Sequence, residues 1–85
     1  MNKKDIEQKV INIITENYSK RLGNIKITKK TDLINDLGYD SISIMQTIIE
    51  CEKNFNVMFD DSFFDNDNFT IEKIVKYLVG KVNEI

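Results

Sequence analysis

Seven residues in the middle of the chain, Asp36-Leu37-Gly38-Tyr39-Asp40-Ser41-Ile42, bring together a glycine, two carboxylates and a serine. Gly38 can take the positive φ that a tight turn needs. Ser41 stands where an apolar-periodic run, Ile42 to Phe55, begins. At such a helix start a hydroxyl either caps the first amides or carries a charged group over them. The chain has no histidine, so Ser-His-Asp and Cys-His catalysis are excluded, as is any His-containing metal site. With no base to activate it, Ser41 is a poor nucleophile but a good attachment point for a group added by another enzyme. A phosphodiester on its Oγ would lie over helix amides at the positive end of the dipole, which offsets repulsion from Asp36 and Asp40.

Other chemistry-bearing residues carry less. The single cysteine, Cys51, forms neither an internal disulfide nor a thiolate zinc site, and points to a reducing compartment. It falls at the edge of a helical core stripe and reads as a small buried apolar residue rather than a nucleophile. Asp65-Asn66-Asp67-Asn68 offers oxygen ligands. The calcium-loop spacing D-x-[DN]-x-[DN]-G with a later Glu is absent there and around Asp36 and Asp40, so a polar helix break is the better reading.

The elements that must position Ser41 follow from periodicity. Ile6, Val10, Ile13 and Ile14 recur at three- and four-residue steps, which predicts a helix over 4–18 with Lys9, Asn12 and Glu16 on its opposite face. Gly23 marks its end. Residues 22–40 form a long connection. Ile25 and Ile27 alternate with polar residues but have no partner run, so the stretch reads as extended loop rather than sheet. Thr31-Asp32-Leu33-Ile34 suggests a turn of helix, with Leu33 and Leu37 as anchors. A second helix is predicted over 41–55. Its core face is assigned to Met45, Ile48, Cys51 or Glu52, and Phe55, while Ile42, Gln46, Ile49 and Lys53 share a neighbouring, unusually apolar face. Phe55, Val57 and Phe59 point inward from a connector. Asp60-Asp61-Ser62 caps a short third helix carrying Phe63 and Phe64. Thr70 is a good N-cap for a last helix over 71–82, with a stripe of Ile71, Ile74, Val75, Leu78 and Val82. The expected fold is all-α: a small four-helix bundle of three main helices and one short one, with a long loop between helices 1 and 2.

Composition agrees. At 85 residues, 1–85 is expected to be a single domain with a small core. The absence of proline and the presence of three glycines leave long helices unobstructed. Residues 1–30 carry a net charge of +5 and residues 31–85 one of −7. This is consistent with two solvated faces, and with a region around Ser41 that favours cationic partners. The N-terminal lysines are scattered and without aromatic interleaving, which argues against nucleic acid. Neither a signal peptide nor a membrane span is evident, and a cytoplasmic location is expected.

Asp36-Leu37-Gly38-Tyr39-Asp40-Ser41-Ile42 resembles the D-x-G-x-D-S-[LI] motif of acyl carrier proteins. Its neighbours strengthen the likeness: a helix with inward isoleucines one long loop earlier, Phe55-Asn56-Val57 after the second helix as in F-x-[VI], and Phe69-Thr70-Ile71 opening the last helix. The resemblance spans about residues 4–82. It implies a non-enzymatic carrier with 4′-phosphopantetheine on Ser41, added by a phosphopantetheinyl transferase that Asp40 helps to engage. The thiol of the arm would hold acyl, aminoacyl or polyketide intermediates for acyl-activating, condensing or acyl-transferring enzymes.

The partner face is assigned to Ile42, Gln46, Ile49 and Glu50 of a monomer, with weak, transient docking. Carriers of fatty-acid synthesis have a strongly acidic second helix. Here it has Gln46, Thr47 and Lys53, with acids only at Glu50 and Glu52. That departure points to a specialised fatty-acid, polyketide or nonribosomal-peptide pathway. Competing readings are a small helical interaction module in which Ser41 is only a helix cap, and a calcium-sensing helix pair.

Overall fold

A computed structural model describes residues 2–22, 26–64 and 69–82. In chain order it contains α1 (Lys3–Leu22), α2 (Ser41–Phe55), a single 3₁₀ turn (Asp61–Phe64) and α3 (Ile71–Val82). The short third helix of the sequence reading is thus this 3₁₀ turn. Gly23, Ile25 and the Asp65–Asn68 break lie outside the described residues.

Helix α1 begins one residue earlier than its pattern suggests because Asn2 caps it. The Asp5 amide donates to Asn2 Oδ1 at 2.9 Å, and Asp5 sits in the first turn, where the dipole favours a carboxylate. Ile6, Val10, Ile13 and Ile14 are all buried, as their spacing requires. Lys9 is not on a solvated face. It is half-buried, its ammonium lies 5.1 Å from the Phe55 ring centroid, and it donates to the Asn54 carbonyl at 3.3 Å. Lys9 therefore ties α1 to the C-terminal end of α2.

Helix α1 packs against both α2 and α3. From α3 come Ile71, Ile74, Val75 and Leu78, all buried, with Val82 half-buried. The N-cap is Thr70 as expected: its Oγ1 accepts from the Lys73 amide at 3.2 Å. From α2 come Ile44, Thr47, Ile48 and Cys51. The core face of α2 is therefore rotated by one position from the expected one. Met45 is 46% exposed and Ile44 takes its place. Cys51 lies within the core rather than at its edge, and Glu52 and Phe55 are half-buried. Thr47 is tolerated inside because its hydroxyl donates to the Ser43 carbonyl at 2.9 Å, which satisfies the polar group.

The connection from α1 to α2 is stitched to the start of α3 by backbone bonds. Leu33 N donates to Phe69 O at 3.0 Å, Ile71 N to Thr31 O at 3.0 Å and Glu72 N to Lys29 O at 2.8 Å. Among the described residues these give only an isolated antiparallel bridge, Asp32 to Thr70, and no strand. Leu33 is fully buried and anchors this loop; Leu37 is half-buried against the core.

Helix α2 ends at Asn56, which takes a left-handed conformation (φ 54°, ψ 48°). The amides of Asn56 and Val57 both turn back to the Glu52 carbonyl. Beyond it Phe59 is buried and Met58 is 74% exposed, so the alternation along 55–60 holds. Phe59 stacks on Tyr77 (4.6 Å between centroids) and meets Phe63 edge-on (4.8 Å). The Asp60 amide donates to Tyr77 Oη at 3.0 Å. Hydrogen bonds from the Ser62 and Tyr77 hydroxyls, with the nearby Lys81 ammonium, hold the Asp60 carboxyl below the usual carboxylate range.

Candidate functional site

The loop that carries the motif is built by its own carboxylates. Asp32 Oδ1 accepts from the Ile34 and Asn35 amides at 2.8 and 2.9 Å. Asp36 Oδ2 accepts from the Asp32 amide at 2.8 Å. These bonds close a helical turn in which the Asp36 amide returns to the Asp32 carbonyl at 2.9 Å and the Gly38 amide to the Ile34 carbonyl at 3.1 Å. Gly38 then has φ 70°. No atom outside its immediate neighbours lies within 4 Å of where its Cβ would stand, so glycine is favoured here by conformation and not by space. The chain reverses, and the Tyr39 amide donates to the Leu33 carbonyl at 2.9 Å. Tyr39 is buried, which fixes where α2 starts.

Asp40, not Ser41, is the N-cap of α2. Its backbone is extended (φ −95°, ψ −179°), and its Oδ1 accepts from the Ser43 amide at 2.8 Å. Ser41 is the first helical residue and is exposed. The reading of Ser41 as a helix cap is thereby corrected: the cap is already made one residue earlier. The amides of Ser41 and Ile42, in the first turn, have no intrahelical acceptor and contribute the positive end of the dipole.

Beside Ser41 lies an open pocket of about 200 Å³. Asp40 and Ser41 stand at the helix start, Tyr39, Ile44 and Met45 follow on the α2 side, and Ile34, Phe64 and Phe69 complete the wall. Phe69 is held by the Lys73 ammonium, 4.7 Å from its ring centroid. This ammonium also lies 4.6 Å from the Phe63 ring and donates to the Phe63 carbonyl at 2.8 Å. Nothing in the sequence linked Ile34, Met45, Phe64 and Phe69, which meet only through the fold.

Along α2 the expected partner residues share one exposed side. Ile42 is 67% and Ile49 44% exposed; Gln46 is exposed and Glu50 half-buried. Met45, assigned to the core from sequence, joins this side instead. Glu52 is half-buried, and its Oε2 accepts from the Phe59 amide at 2.9 Å. A shallow second depression runs from Ile49 and Lys53 to Val57 and Met58.

Cys51 is fully buried, and burial, reinforced by Glu50 and Glu52, pushes its thiol up to about 12. It is therefore neutral and unreactive near pH 7. Among the described residues no group of three or more His, Cys, Asp or Glu side chains could hold a metal ion.

Residues 8–78 match the family described as "Phosphopantetheine attachment site". The chain belongs to the acyl carrier protein family. It is 30% identical over 80 residues to the acyl carrier protein of Amoebophilus asiaticus (strain 5a2), a match that covers 94% of this chain and 96% of that one. The acyl carrier protein of Thermotoga maritima gives 30% identity over 80 residues, covering 94% and 95%. That of Rickettsia bellii (strain RML369-C) gives 40% over 53 residues, covering 62% of this chain and 59% of the other. Acyl carrier proteins are carriers and not enzymes, and their prosthetic group is a covalently attached phosphopantetheine. Their partners are in general phosphopantetheinyl transferases and acyl-handling enzymes.

The residues at the start of α2 fit such a group. An exposed hydroxyl stands on a helix N-terminus, where amides favour a phosphodiester. Its neighbour, Asp40, has its carboxylate engaged with Ser43. Among the described residues no helix is long and apolar enough to cross a membrane.

Proposed function

We propose that this chain is a single, monomeric carrier domain of the cytoplasm that bears its 4′-phosphopantetheine on Ser41 and serves one specialised fatty-acid, polyketide or nonribosomal-peptide pathway. The observation that carries the assignment is the division of labour at the start of α2. Asp40 caps the helix, so the adjacent exposed hydroxyl of Ser41 has no structural duty. When bound, the arm supplies a thiol that holds acyl groups as thioesters. The chain's own part is to position and present. The Ser41 and Ile42 amides, in the first turn of α2, would favour the negative charge of the phosphate, the Asp32–Asp36 turn and Gly38 set the direction of the loop, and the exposed Asp40 gives the transferase a recognition point beside Ser41.

Partner enzymes dock on Ile42, Gln46, Ile49 and Glu50. The specialised assignment rests on the chemistry of this side. It is apolar at Ile42, Met45 and Ile49, and of its two carboxylates Glu52 is turned toward the Phe59 amide. Long-range steering by a cationic partner patch is correspondingly weak, and contact chemistry selects the partner.

The test is incubation with coenzyme A and a broad-specificity phosphopantetheinyl transferase. Gain of one pantetheinyl mass is the expected result; an unmodified wild-type chain would refute the assignment.

A further inference from the structure

Helix α3 carries a second row of side chains beside its core stripe. Lys73, Tyr77 and Lys81 follow one another at four-residue steps, which aligns them along the helix, and each reaches back to the segment that joins α2 to α3. Lys81 stands 3.9 Å from the Asp60 carboxylate. The Tyr77 hydroxyl accepts from the Asp60 amide at 3.0 Å, and its ring stacks on Phe59. The Lys73 ammonium donates to the Phe63 carbonyl at 2.8 Å and lies over the Phe63 and Phe69 rings. On the α2 side, the Phe59 amide is held by Glu52. Within the segment the Phe63 amide donates only locally, to the Asp60 carbonyl at 3.1 Å. Side chains therefore fasten residues 59–63 to the two helices.

These fastenings differ in strength. The Lys81–Asp60 pair is largely in water, with side chains 34% and 57% exposed, so it contributes little. Lys73 is half-buried. Its bond to Phe63 is charge-assisted, and two aromatic faces replace part of its hydration. It also satisfies a carbonyl at the end of the 3₁₀ turn, which that turn leaves without a partner.

We infer that residues 59–64 form a strap that opens as one unit while the three helices stay folded, and that the charge of Lys73 is its latch. The start of α2, with Asp40 and Ser41, stays in place when the strap opens. The inference does not depend on what Ser41 carries.

Residue-resolved hydrogen exchange on the whole, unloaded chain tests this. The reporters are the amides of Phe59, Asp60 and Phe63, each bonded within or at the ends of the strap. In the wild type, after correction for intrinsic rates, the three should exchange together and roughly tenfold or more faster than the core amide of Leu78, because local opening requires less than global unfolding. Lys73→Met keeps the unbranched apolar stem and removes the charge. It should speed all three reporters roughly tenfold. Lys81→Met should speed them less than about twofold. Ile13→Val, in the buried face of α1, should speed Leu78 by about threefold or more and leave the reporters as they were. That separation arises because α1 remains packed when the strap opens. Reporters as slow as Leu78, reporters unmoved by Lys73→Met, or reporters sped by Ile13→Val as much as Leu78 would overturn the inference. So would a Lys73→Met chain that no longer folds, since the residue would then hold the bundle and not a strap. A larger effect from Lys81→Met than from Lys73→Met would remove Lys73 from its role.

Discussion

The Asp40 carboxylate accepts the Ser43 amide at 2.8 Å, across the residue proposed to carry the prosthetic group. Two adjacent residues, each a good N-cap by type, therefore divide the work: one closes the helix and the other is left exposed. Asp40→Ala is expected to destabilise the fold by about 1 kcal/mol, the usual effect of losing an N-cap. In a domain of this size that lowers the melting midpoint by roughly 4–8 °C. Thermal melting of Asp40→Ala beside the wild type checks this. A midpoint unchanged within error would mean that the cap contributes nothing.

Gly38 gives a second local test. Its φ of 70° lies in the left-handed region, and no more distant atom would meet a Cβ there. Gly38→Ala should therefore be destabilising by strain alone, by about 1 kcal/mol. Transferase loading should slow, because Gly38 directs the chain into Tyr39 and Asp40. Urea midpoints and loading rates measured together check both halves of the expectation.

Ile49 is 44% exposed on the side of α2 assigned to partners. Ile49→Glu should change stability by less than about 0.5 kcal/mol. Transfer of cargo to a cognate enzyme should weaken roughly tenfold if Ile49 is a central contact. Single-turnover transfer assays at varied carrier concentration read the effect. Unimpaired transfer would show that the docking side lies elsewhere.

Cys51 couples the core to alkaline pH. Its thiol is raised from 9.0 to about 12 by burial first and by Glu50 and Glu52 second. The folded state holds the proton more tightly than the unfolded chain. Stability from this residue is therefore complete below about pH 9 and is lost as pH rises from 9 toward 12. At pH 10 the loss amounts to about 1 kcal/mol relative to pH 8. Urea unfolding of wild type and Cys51→Ala at both pH values isolates it: the variant should lose less stability on the same change of pH.

Much of this fold was legible in the residues, and the exceptions share a cause. Helix α3 matches its expected span because Thr70 is a clear cap and Ile71, Ile74, Val75 and Leu78 form one stripe. Helix α2 also has the expected bounds, but its core face was off by one residue. Ile44 and Met45 are adjacent and both apolar, so periodicity alone does not choose between them; packing against α1 does. The choice of cap between Asp40 and Ser41 is of the same kind, settled by the extended backbone at Asp40. The bonds from Leu33 to Phe69 and from Ile71 to Thr31 are between backbones, and such pairing leaves no mark on residue type. Lys9 looked like a solvated cation because its contact, Phe55, is far away in the chain. At the site, the serine, the glycine turn and the carboxylates were readable as a contiguous motif. The pocket was not, since Ile34, Met45, Phe64 and Phe69 come from separate segments.

The most direct measurement of the central claim is the intact mass of wild type and Ser41→Ala after incubation with coenzyme A and a phosphopantetheinyl transferase, with melting curves of both unmodified proteins taken alongside. Wild type should gain one pantetheinyl mass and Ser41→Ala none. The two melting midpoints should agree within about 2 °C, because Asp40 supplies the cap. Modification of the Ser41→Ala protein, or a wild type that stays unmodified, would contradict the assignment of Ser41 as the residue that carries the arm.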